Sequence, residues 1–350
     1  MKALSIFSPG NIQYIETPLP TLRPKDVLAR VCYSGICGTD LEIFRGDVSL
    51  VRDGFIKYPV RIGHEWSGIV ESVGPEVTIF KPGDRVVSDN GVSCGVCPEC
   101  LNGEYIKCKQ RRSLGTINCW DGSFAEYILI PEWHLHQLPD GIPLDEAALI
   151  EPATIALHGL RGFGDMTEKT LTITGTGAIG LAAIRIARIL GASRSILSGR
   201  KDAKLEIGRH LGADVVVNAT RENLIEAVMK ATQGEGSDLM LETSAAADCV
   251  RDAMKLLRPS GIFVTIAFYP QLVDGFDADA ISTRAIQLRP GKSCKDPVQQ
   301  IISMMTSKGL HIKELITHRI PFDKAADAFR NANEMSATRI KMLVEISKEK

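Results

Sequence analysis

The chain has 350 residues, which at about 150 residues per domain predicts two domains with room for a sizeable core. Hydrophobic residues make up 44% and charged residues 24%, a composition typical of folded globular proteins that excludes long disordered tracts. The 41 Lys and Arg residues nearly balance 42 Asp and Glu residues, which gives a net charge of −1. The chain therefore has no excess of positive charge that would favour binding of nucleic acid or an anionic membrane.

The N-terminal segment MKALSIF carries one lysine, and Ser5 interrupts its short apolar run. This pattern predicts a first β-strand rather than a signal peptide. Nowhere do about 18 apolar residues follow one another, so no transmembrane helix is expected. Nine cysteines without an export signal argue against a disulfide scaffold. We therefore expect a cytoplasmic protein with neither a membrane nor a nucleic-acid partner.

Residues 1–151 predict a compact β-rich domain. Glycine and proline recur throughout, and the apolar runs between them are short, as at 27–33, 84–87 and 124–130. Many short strands separated by turn residues are typical of such a domain. A cysteine-rich lobe at about 90–110 lies within it.

The pattern changes at residues 152–288, where apolar strands alternate with helical periodicity such as that of 181–190 and 203–211. The predicted strands are 171–174, 195–198, 214–217, 238–241, 261–267 and 285–288. The alternation predicts a doubly wound α/β fold, with a six-stranded parallel sheet covered by helices on both faces.

The last stretch, residues 289–350, continues with mixed elements. They are a helix at 296–307, a strand at 315–319, a helix at 323–333 and a strand at 340–346. We expect this tail to return to the first domain, which is then discontinuous and formed by 1–151 and 289–350. The second domain is expected to span 152–288.

A glycine motif, Gly175-x-Gly177-x-x-Gly180, follows the first of these parallel strands and opens an amphipathic helix. The first glycine permits a tight turn, the second lets backbone approach a pyrophosphate, and the third lets helix and strand pack closely. Ala178 and Ile179 begin the helix, whose N-terminus favours negative charge. The motif predicts a dinucleotide site.

The next strand ends with Ser198-Gly199-Arg200, without the acid that binds the ribose hydroxyls of NAD. Glycine removes a charge that would repel a 2′-phosphate, and Arg200 offers a planar bidentate partner for that phosphate. Ser198 adds a hydroxyl donor. These residues predict a preference for NADP over NAD. Two alternatives stay open, an ordinary solvated loop and an NAD site served by Asp202.

Four cysteines follow one another as Cys94-x2-Cys97-x2-Cys100-x7-Cys108. Four thiolates at this spacing predict a closed tetrahedral zinc site, which is structural because no coordination position is left open. Four further cysteines are interpreted as ordinary core or surface thiols: Cys32, Cys119, Cys249 and Cys294.

A second set of candidate ligands is spread along the chain as Cys37, His64, Glu65 and Glu151. A thiolate, an imidazole and carboxylates leave room for water or substrate on the metal, as catalytic zinc requires. Singly, each residue has an ordinary interpretation. The cysteine or histidine can be packed in a core, and Glu151 can cap a helix that starts at Pro152.

With these residues, the sequence resembles the zinc-dependent medium-chain dehydrogenase/reductase family, and within it the polyol (sorbitol-like) dehydrogenases. Residues 63–77 fit the family's zinc signature Gly-His-Glu-x2-Gly-x5-Gly-x2-Val, and 34–40 read Ser-Gly-Ile-Cys-Gly-Thr-Asp. The four-cysteine lobe falls where the family has its structural zinc. The resemblance implies a GroES-like β-rich catalytic domain, a Rossmann domain, and a homodimer or homotetramer.

The resemblance also implies roles for single residues. Cys37 and His64 are similar to direct ligands of the catalytic zinc, and Glu151 matches the third ligand as polyol dehydrogenases have it. Glu65 resembles a carboxylate that approaches the metal and exchanges with water or substrate. Thr39 is similar to the hydroxyl that relays the substrate proton.

Two more positions match the family. Asp40 resembles the partner that orients His64. Lys341 falls where some relatives have a basic residue over the cofactor pyrophosphate.

The activity implied is reversible oxidation of a secondary hydroxyl on a small polar substrate, a polyol, cyclitol, aminocyclitol or sugar alcohol, with two zinc ions per chain. The expected preference for NADP comes instead from Gly199 and Arg200, where sorbitol dehydrogenases usually have an acid. Zinc lowers the pKa of the alcohol, and hydride passes to the nicotinamide. Zinc dehydrogenases for threonine, simple alcohols or sugar-alcohol phosphates are the alternatives within the family.

Two other classes of protein fit the sequence less well. A zinc-ribbon module that binds nucleic acid is disfavoured by the near-neutral charge. A non-catalytic zinc-binding relative is disfavoured because such proteins tend to lose ligands, and all the candidate ligands are present.

Overall fold

The computed structural model describes residues 1–269, 272–292 and 296–349, so Cys294 lies outside the described residues. In the described part of the chain, each helix is either too short or too polar to cross a membrane.

Strands are numbered in chain order. They are β1 (Lys2–Ser8), β2 (Asn11–Glu16), β3 (Asp26–Ile36), β4 (Glu65–Val73), β5 (Arg85–Ser88), β6 (Gly91–Val92), β7 (Arg112–Ser113), β8 (Tyr127–Pro131), β9 (Leu135–Gln137), β10 (Thr170–Thr174), β11 (Arg194–Gly199), β12 (Val215–Asn218), β13 (Ser237–Glu242), β14 (Leu257–Thr265), β15 (Gln287–Pro290), β16 (Ile316–Pro321) and β17 (Lys341–Glu345).

The α-helices are numbered in the same way. They are α1 (Gly38–Arg45), α2 (Ser49–Arg52), α3 (Pro98–Leu101), α4 (Leu144–Ala147), α5 (Ile150–Arg161), α6 (Ala178–Ile189), α7 (Asp202–His210), α8 (Leu224–Ala231), α9 (Ala247–Leu256), α10 (Asp279–Thr283), α11 (Pro297–Ser307) and α12 (Ala325–Arg330).

The chain divides into two compact units. The first contains Met1–Glu151 and His318–Lys350, and the second contains Pro152–Thr317. The tail therefore rejoins the first unit only at His318, later than the expected residue 289.

The physical reason for this correction lies in α11. Its apolar residues Val298, Ile301 and Ile302 are buried, so the helix needs a packing partner. It finds that partner in the second unit, where Arg161 donates a hydrogen bond to the Gln300 side chain at 3.0 Å.

A seven-stranded sheet forms the centre of the first unit. Its order is β16-β17-β3-β4-β5-β9, and β8 also pairs with β3. The sequence of β3, DVLARVCYSGI, is rich in apolar and β-branched residues, and most of its residues are buried. Since β4 and β17 both run antiparallel to β3, the start of each lies beside the end of β3.

The second unit contains a six-stranded parallel sheet in the order β12-β11-β10-β13-β14-β15. The strand order reverses beside β10, and ligands of such sheets bind at this switch point, outside the carboxyl ends of the strands. Each predicted strand overlaps an observed one, and the predicted doubly wound α/β fold is confirmed.

Candidate active site

The end of β3 and the start of β4 bring three candidate metal ligands together. Cys37 follows β3 directly, and His64 precedes Glu65, the first residue of β4. Gly35 pairs with Glu65 across the two strands, so these ends are adjacent. One ligand atom from each of Cys37, His64 and Glu65 lies within 4.8 Å of the other two. His64 and Glu65 are buried.

Asp40, in the first turn of α1, is fully buried beside this group. It accepts a hydrogen bond from the backbone N–H of Cys37 at 2.9 Å. Its Oδ1 lies 3.7 Å from Nδ1 of His64, and neither atom has a hydrogen-bond partner among the described residues. A metal ion on the other ring nitrogen makes Nδ1 a fixed donor, which Asp40 is placed to accept. The two orphaned buried atoms therefore fit a metal centre.

The electrostatics of the group also fit a cation. Burial lowers the pKa of His64, but Asp40 and Cys37 more than offset this effect, so the pKa lies well above its usual value. Burial raises the pKa of Glu151 to about 7 and raises that of Asp40 as well. Among the described residues, the site thus contains more carboxyl and thiol groups than positively charged side chains. A divalent metal ion held by these residues would supply positive charge to them, with His64 neutral as a ligand.

Glu151 is the second residue of α5 and is also buried. It lies close enough to raise the pKa of His64, but it does not belong to the described set of ligand atoms within 4.8 Å. Nδ2 of Asn90 donates to its Oε1 at 3.4 Å, and Oδ1 of Asn90 is buried without a described partner. The sequence offered no signal for Asn90, because an asparagine between two short strands is an ordinary turn residue.

Lys341, the first residue of β17, has a different position from the expected one. Its Nζ donates to Oε1 of Glu65 at 2.7 Å and to Oε2 at 2.5 Å, and both side chains are buried. Burial lowers the pKa of Lys341, but Glu65 outweighs it and the pKa is raised. The expectation that Lys341 lies over the cofactor pyrophosphate was wrong for this structure, because pairing of β17 with β3 buries its ammonium against Glu65.

Thr39 lies in the first turn of α1, two residues after Cys37, and is half-buried. Its role as a proton relay stays a prediction.

The four clustered cysteines come together in a lobe of the first unit. Their sulfur atoms all lie within 4.8 Å of one another, with Cys94 and Cys97 at 3.9 and 3.4 Å from Cys100. Four sulfurs around a tetrahedral zinc at about 2.3 Å are separated by about 3.8 Å. No described cysteine forms a disulfide. Backbone N–H groups of Val96 and Cys97 lower the pKa of Cys94 to about 6. The backbone N–H of Cys100 lowers the pKa of Cys97, but burial and the Cys100 thiol outweigh it and raise that pKa to about 12.

The lobe has little core of its own. Between Cys94 and Cys108 the aliphatic residues Val96, Leu101 and Ile106 are 77%, 74% and 61% exposed. A metal is the physical means by which such a segment is held together. The geometry therefore fits the predicted structural zinc.

A polar network fixes the base of the lobe. His134 Nδ1 lies 3.0 Å from Asp89, and its Nε2 lies 2.9 Å from Oγ of Ser93. This order of side chains is that of a hydrolase triad, but Nε2 accepts the backbone N–H of Ser93 at 2.8 Å, and Ser93 Oγ accepts from Trp133. Ser93 and His134 are both buried, so we interpret the network as structural.

The glycine motif forms the turn between β10 and α6. Gly175 has φ +108°, which favours glycine, and a Cβ on Gly180 would lie 2.1 Å from the Gly175 carbonyl oxygen. A Cβ on Gly177 would meet no described atom within 4 Å. Ala178 and Ile179 follow as the first residues of α6. The first and third glycines thus fit the turn and the helix packing, and Gly177 leaves an open face that fits a pyrophosphate.

The end of β11 carries the candidate determinants of cofactor choice. Ser198 is buried, Gly199 ends the strand, and Arg200 follows it as an exposed residue. Both carboxylate oxygens of Asp202 accept hydrogen bonds from Arg221, at 2.7 and 2.8 Å. Arg221 and Asn218 lower the pKa of Asp202 to about 2. Asp202 is therefore engaged within its own unit, which disfavours it as the acceptor for NAD ribose.

Comparison with known proteins supports this picture. Residues 23–140 match the alcohol dehydrogenase GroES-like domain, and residues 178–309 match the zinc-binding dehydrogenase family. D-arabitol-phosphate dehydrogenase of Enterococcus avium is 33% identical over 100% of this chain and 98% of its own. The chain belongs to the zinc-dependent medium-chain dehydrogenase/reductase family. It is a zinc-type alcohol/polyol dehydrogenase, an oxidoreductase with a GroES-like and a Rossmann domain.

Two other relatives of this dehydrogenase are named for different substrates. L-threonine 3-dehydrogenase of Symbiobacterium thermophilum is 34% identical over 88% of both chains. Sorbitol dehydrogenase of Halalkalibacterium halodurans is 31% identical over 92% of this chain and 93% of its own.

Two solved structures have the same fold over nearly the whole chain. Galactitol-1-phosphate dehydrogenase of Escherichia coli has a TM-score of 0.87 and 27% identity, covering 99% of this chain and 100% of its own. A protein of Sinorhizobium meliloti 1021, described as a zinc-binding dehydrogenase and solved with NADP bound, has a TM-score of 0.89 and 30% identity, covering 99% of both.

Proposed function

We propose that this dehydrogenase reversibly oxidises a secondary hydroxyl of a polyol, cyclitol, aminocyclitol or sugar alcohol, with NADP as the preferred acceptor. The observation that carries the proposal is the clustering of Cys37 with the buried His64 and Glu65, with the buried Glu151 near His64. A thiol, an imidazole and carboxylates are a donor set for catalytic zinc that leaves a position for substrate.

Two metal sites are part of the proposal. Cys37, His64 and Glu151 would hold the catalytic zinc, and Glu65 would exchange with water or substrate. The structural zinc would be held by the four cysteines of the lobe: Cys94, Cys97, Cys100 and Cys108. Bound zinc supplies Lewis-acid polarisation of a hydroxyl oxygen, which lowers the pKa of that hydroxyl.

Three further residues of the site have roles in this proposal. Asp40 fixes the ring orientation of His64, as the facing pair of buried atoms indicates. We propose that Thr39 receives the hydroxyl proton and passes it towards solvent. Lys341 balances the charge of Glu65 when that carboxylate is withdrawn from substrate. Burial of these groups excludes water and strengthens their electrostatic effects.

The preference for NADP is supported by three residues at the end of β11, by the hydrogen bonds of Asp202 and by one similar solved structure. Ser198, Gly199 and Arg200 offer a hydroxyl, an uncharged position and an exposed guanidinium where NAD enzymes have an acid. Asp202, the alternative ribose acceptor, is held by Arg221. A similar structure contains NADP.

Two substrate alternatives have specific support from the relatives. The arabitol-phosphate and galactitol-1-phosphate dehydrogenases favour a sugar-alcohol phosphate, and the threonine dehydrogenases favour a secondary hydroxyl of an amino acid. The polyol proposal is preferred because Glu151 stands where the third ligand of polyol dehydrogenases is expected.

The proposal is tested by initial rates of nicotinamide reduction with NADP and with NAD. The panel contains alditols, cyclitols, aminocyclitols, sugar-alcohol phosphates, threonine and simple alcohols. Turnover on one polyol class with NADP is expected. Faster turnover of threonine or a phosphate selects the corresponding alternative, and faster turnover with NAD refutes the cofactor preference.

We also propose that the enzyme is a cytoplasmic homodimer or homotetramer. Support comes from β15, an edge strand of the parallel sheet that contains the exposed Leu288, and from two exposed apolar residues in the segment after β14. Phe268, Leu272 and Leu288 are 80%, 99% and 47% exposed. Light scattering after size-exclusion chromatography tests this, and a monomer at micromolar concentration contradicts it.

A further inference from the structure

Thr176, between the first two glycines of the loop, lies directly against Gly199 at the end of β11. A Cβ built on Gly199 would lie 2.4 Å from Cγ2 and 2.9 Å from Oγ1 of Thr176. Real side chains essentially never make contacts this short, so no residue larger than glycine fits at position 199 while Thr176 keeps its place. Thr176 is itself buried, with 9% of its surface exposed.

The contact cannot be relieved by rotating Thr176. Its two γ atoms occupy two of the three staggered positions, and both of these positions face Gly199. Any other rotamer of Thr176 vacates only one of these two staggered positions. One γ atom therefore always stays close to a Cβ at position 199.

The backbone around Gly199 is equally constrained. The N–H of Ala219 donates to the Gly199 carbonyl at 2.8 Å, and the N–H of Gly175 donates to the Ser198 carbonyl at 2.9 Å. Gly199 does not have a positive φ, so its backbone conformation suits any residue. Thr176, rather than backbone geometry, makes glycine necessary at this position.

We propose that Thr176 is a specificity-determining residue that keeps the ribose-binding acid out of the cofactor site. In NAD enzymes of this fold the acid stands near the end of the second strand, where this chain has Gly199. By filling the space of the Cβ at position 199, Thr176 prevents a single substitution from restoring that acid. The inference rests on the proposed NADP preference. It adds Thr176, from the turn between β10 and α6, to the determinants at the end of β11.

A double-mutant cycle tests this inference. Gly199→Asp, Thr176→Ala and the double variant are compared with wild type by the Tm of the zinc-loaded, cofactor-free enzyme. The Kd values of NADP and NAD are measured by calorimetry. Because the Cβ of alanine at 176 is 3.2 Å from a Cβ at 199, the double variant relieves the clash almost completely.

Gly199→Asp alone is expected to lower Tm by about 4–8 °C and to weaken both cofactors. The double variant is expected to recover at least half of the lost Tm. Its Kd ratio should shift towards NAD by about tenfold, since a carboxylate repels the 2′-phosphate and binds ribose hydroxyls. Gly199→Asp combined with Thr283→Ala, in α10, is the matched control and should recover no Tm.

Two results overturn the inference. One is a strictly additive set of Tm changes, which shows that the two side chains do not compete for space. The other is an equal shift towards NAD in Gly199→Asp whether residue 176 is Thr or Ala. The wild-type Kd ratio is read separately, and tighter binding of NAD there refutes the proposed cofactor rather than the steric coupling.

Discussion

Asp40 shows most directly how one residue prepares the metal centre. It is fully buried, its pKa is raised by that burial, and one of its oxygens faces Nδ1 of His64. Such a buried carboxylate is costly unless it has a partner. Orientation of the His64 ring is the function that accounts for its position.

Asp40→Asn should therefore weaken the catalytic metal rather than the fold. We expect zinc affinity at one of the two sites or kcat to fall about 10–100-fold, since the amide no longer accepts with a full charge. Zinc content by mass spectrometry and steady-state kinetics check this. Asp47→Asn, an exposed partner of Arg45, is the control and should leave both quantities unchanged. Unaltered zinc binding and kcat in Asp40→Asn contradict the assignment.

The buried pair of Lys341 and Glu65 makes a second prediction. Lys341→Met leaves the Glu65 carboxylate buried without its cation, so we expect the free energy of unfolding to fall by about 3–5 kcal/mol. Lys341→Met with Glu65→Gln should lose less, because the amide carries no charge. Urea denaturation measures both variants. Equal stability of Lys341→Met and wild type would show that the pair is not coupled.

At the scale of residues, the sequence indicated which side chains are candidate metal ligands, but it did not indicate which side chains contact them. Cys37, His64 and Glu65 were found from motifs whose residue types are required by a metal. The partner of Glu65 was missed because it depends on the pairing of β17 with β3, two strands about three hundred residues apart in the chain. Asn90 was missed because its type and its neighbours are those of an ordinary turn.

At the scale of elements, the turn from β10 to α6 separates structural from cofactor-facing glycines. Gly180→Ala puts a Cβ 2.1 Å from the Gly175 carbonyl, so Tm should fall by several degrees. Gly177→Ala points into open space, so Tm should stay the same while the Kd of NADP rises about tenfold or more. Differential scanning fluorimetry and calorimetry check both variants. A fall in Tm for Gly177→Ala with unchanged Kd would reverse the assignment.

The cysteine lobe makes its own prediction. Cys100→Ser removes one of the four thiolates, so we expect loss of one zinc per chain and rapid proteolysis within residues 94–108. Intact mass after brief protease treatment locates the cuts. Cys249→Ser, outside the cluster, is the control. Protease resistance of the Cys100→Ser lobe would show that metal does not hold it.

The elements themselves were largely predictable. Strands β10 to β14 were predictable because buried parallel strands contain apolar runs between helical periods. The domain assignment of residues 289–317 was not, because the amphipathic pattern of α11 says that one face is buried and does not say against which unit.

At the scale of the whole molecule, the candidate metal ligands all lie in the unit that contains Met1–Glu151, and the glycine motif lies in the other. Ligands that bind only the folded state stabilise the part they contact. We therefore expect NADP to slow hydrogen exchange around residues 170–200, and zinc removal to speed it around 37–65 and 94–108. Uniform changes over the whole chain in response to either ligand would contradict this division.

We propose above all that zinc held by Cys37, His64 and Glu151 is required for NADP-linked oxidation of a polyol. The most direct measurement is the rate of NADPH formation with the best polyol of the panel, followed while the zinc content is lowered by a chelator and then restored. We expect the rate to fall to the background when the site of Cys37 and His64 is emptied and to return on adding one equivalent of zinc. Full activity in protein shown by elemental analysis to be free of zinc would contradict it.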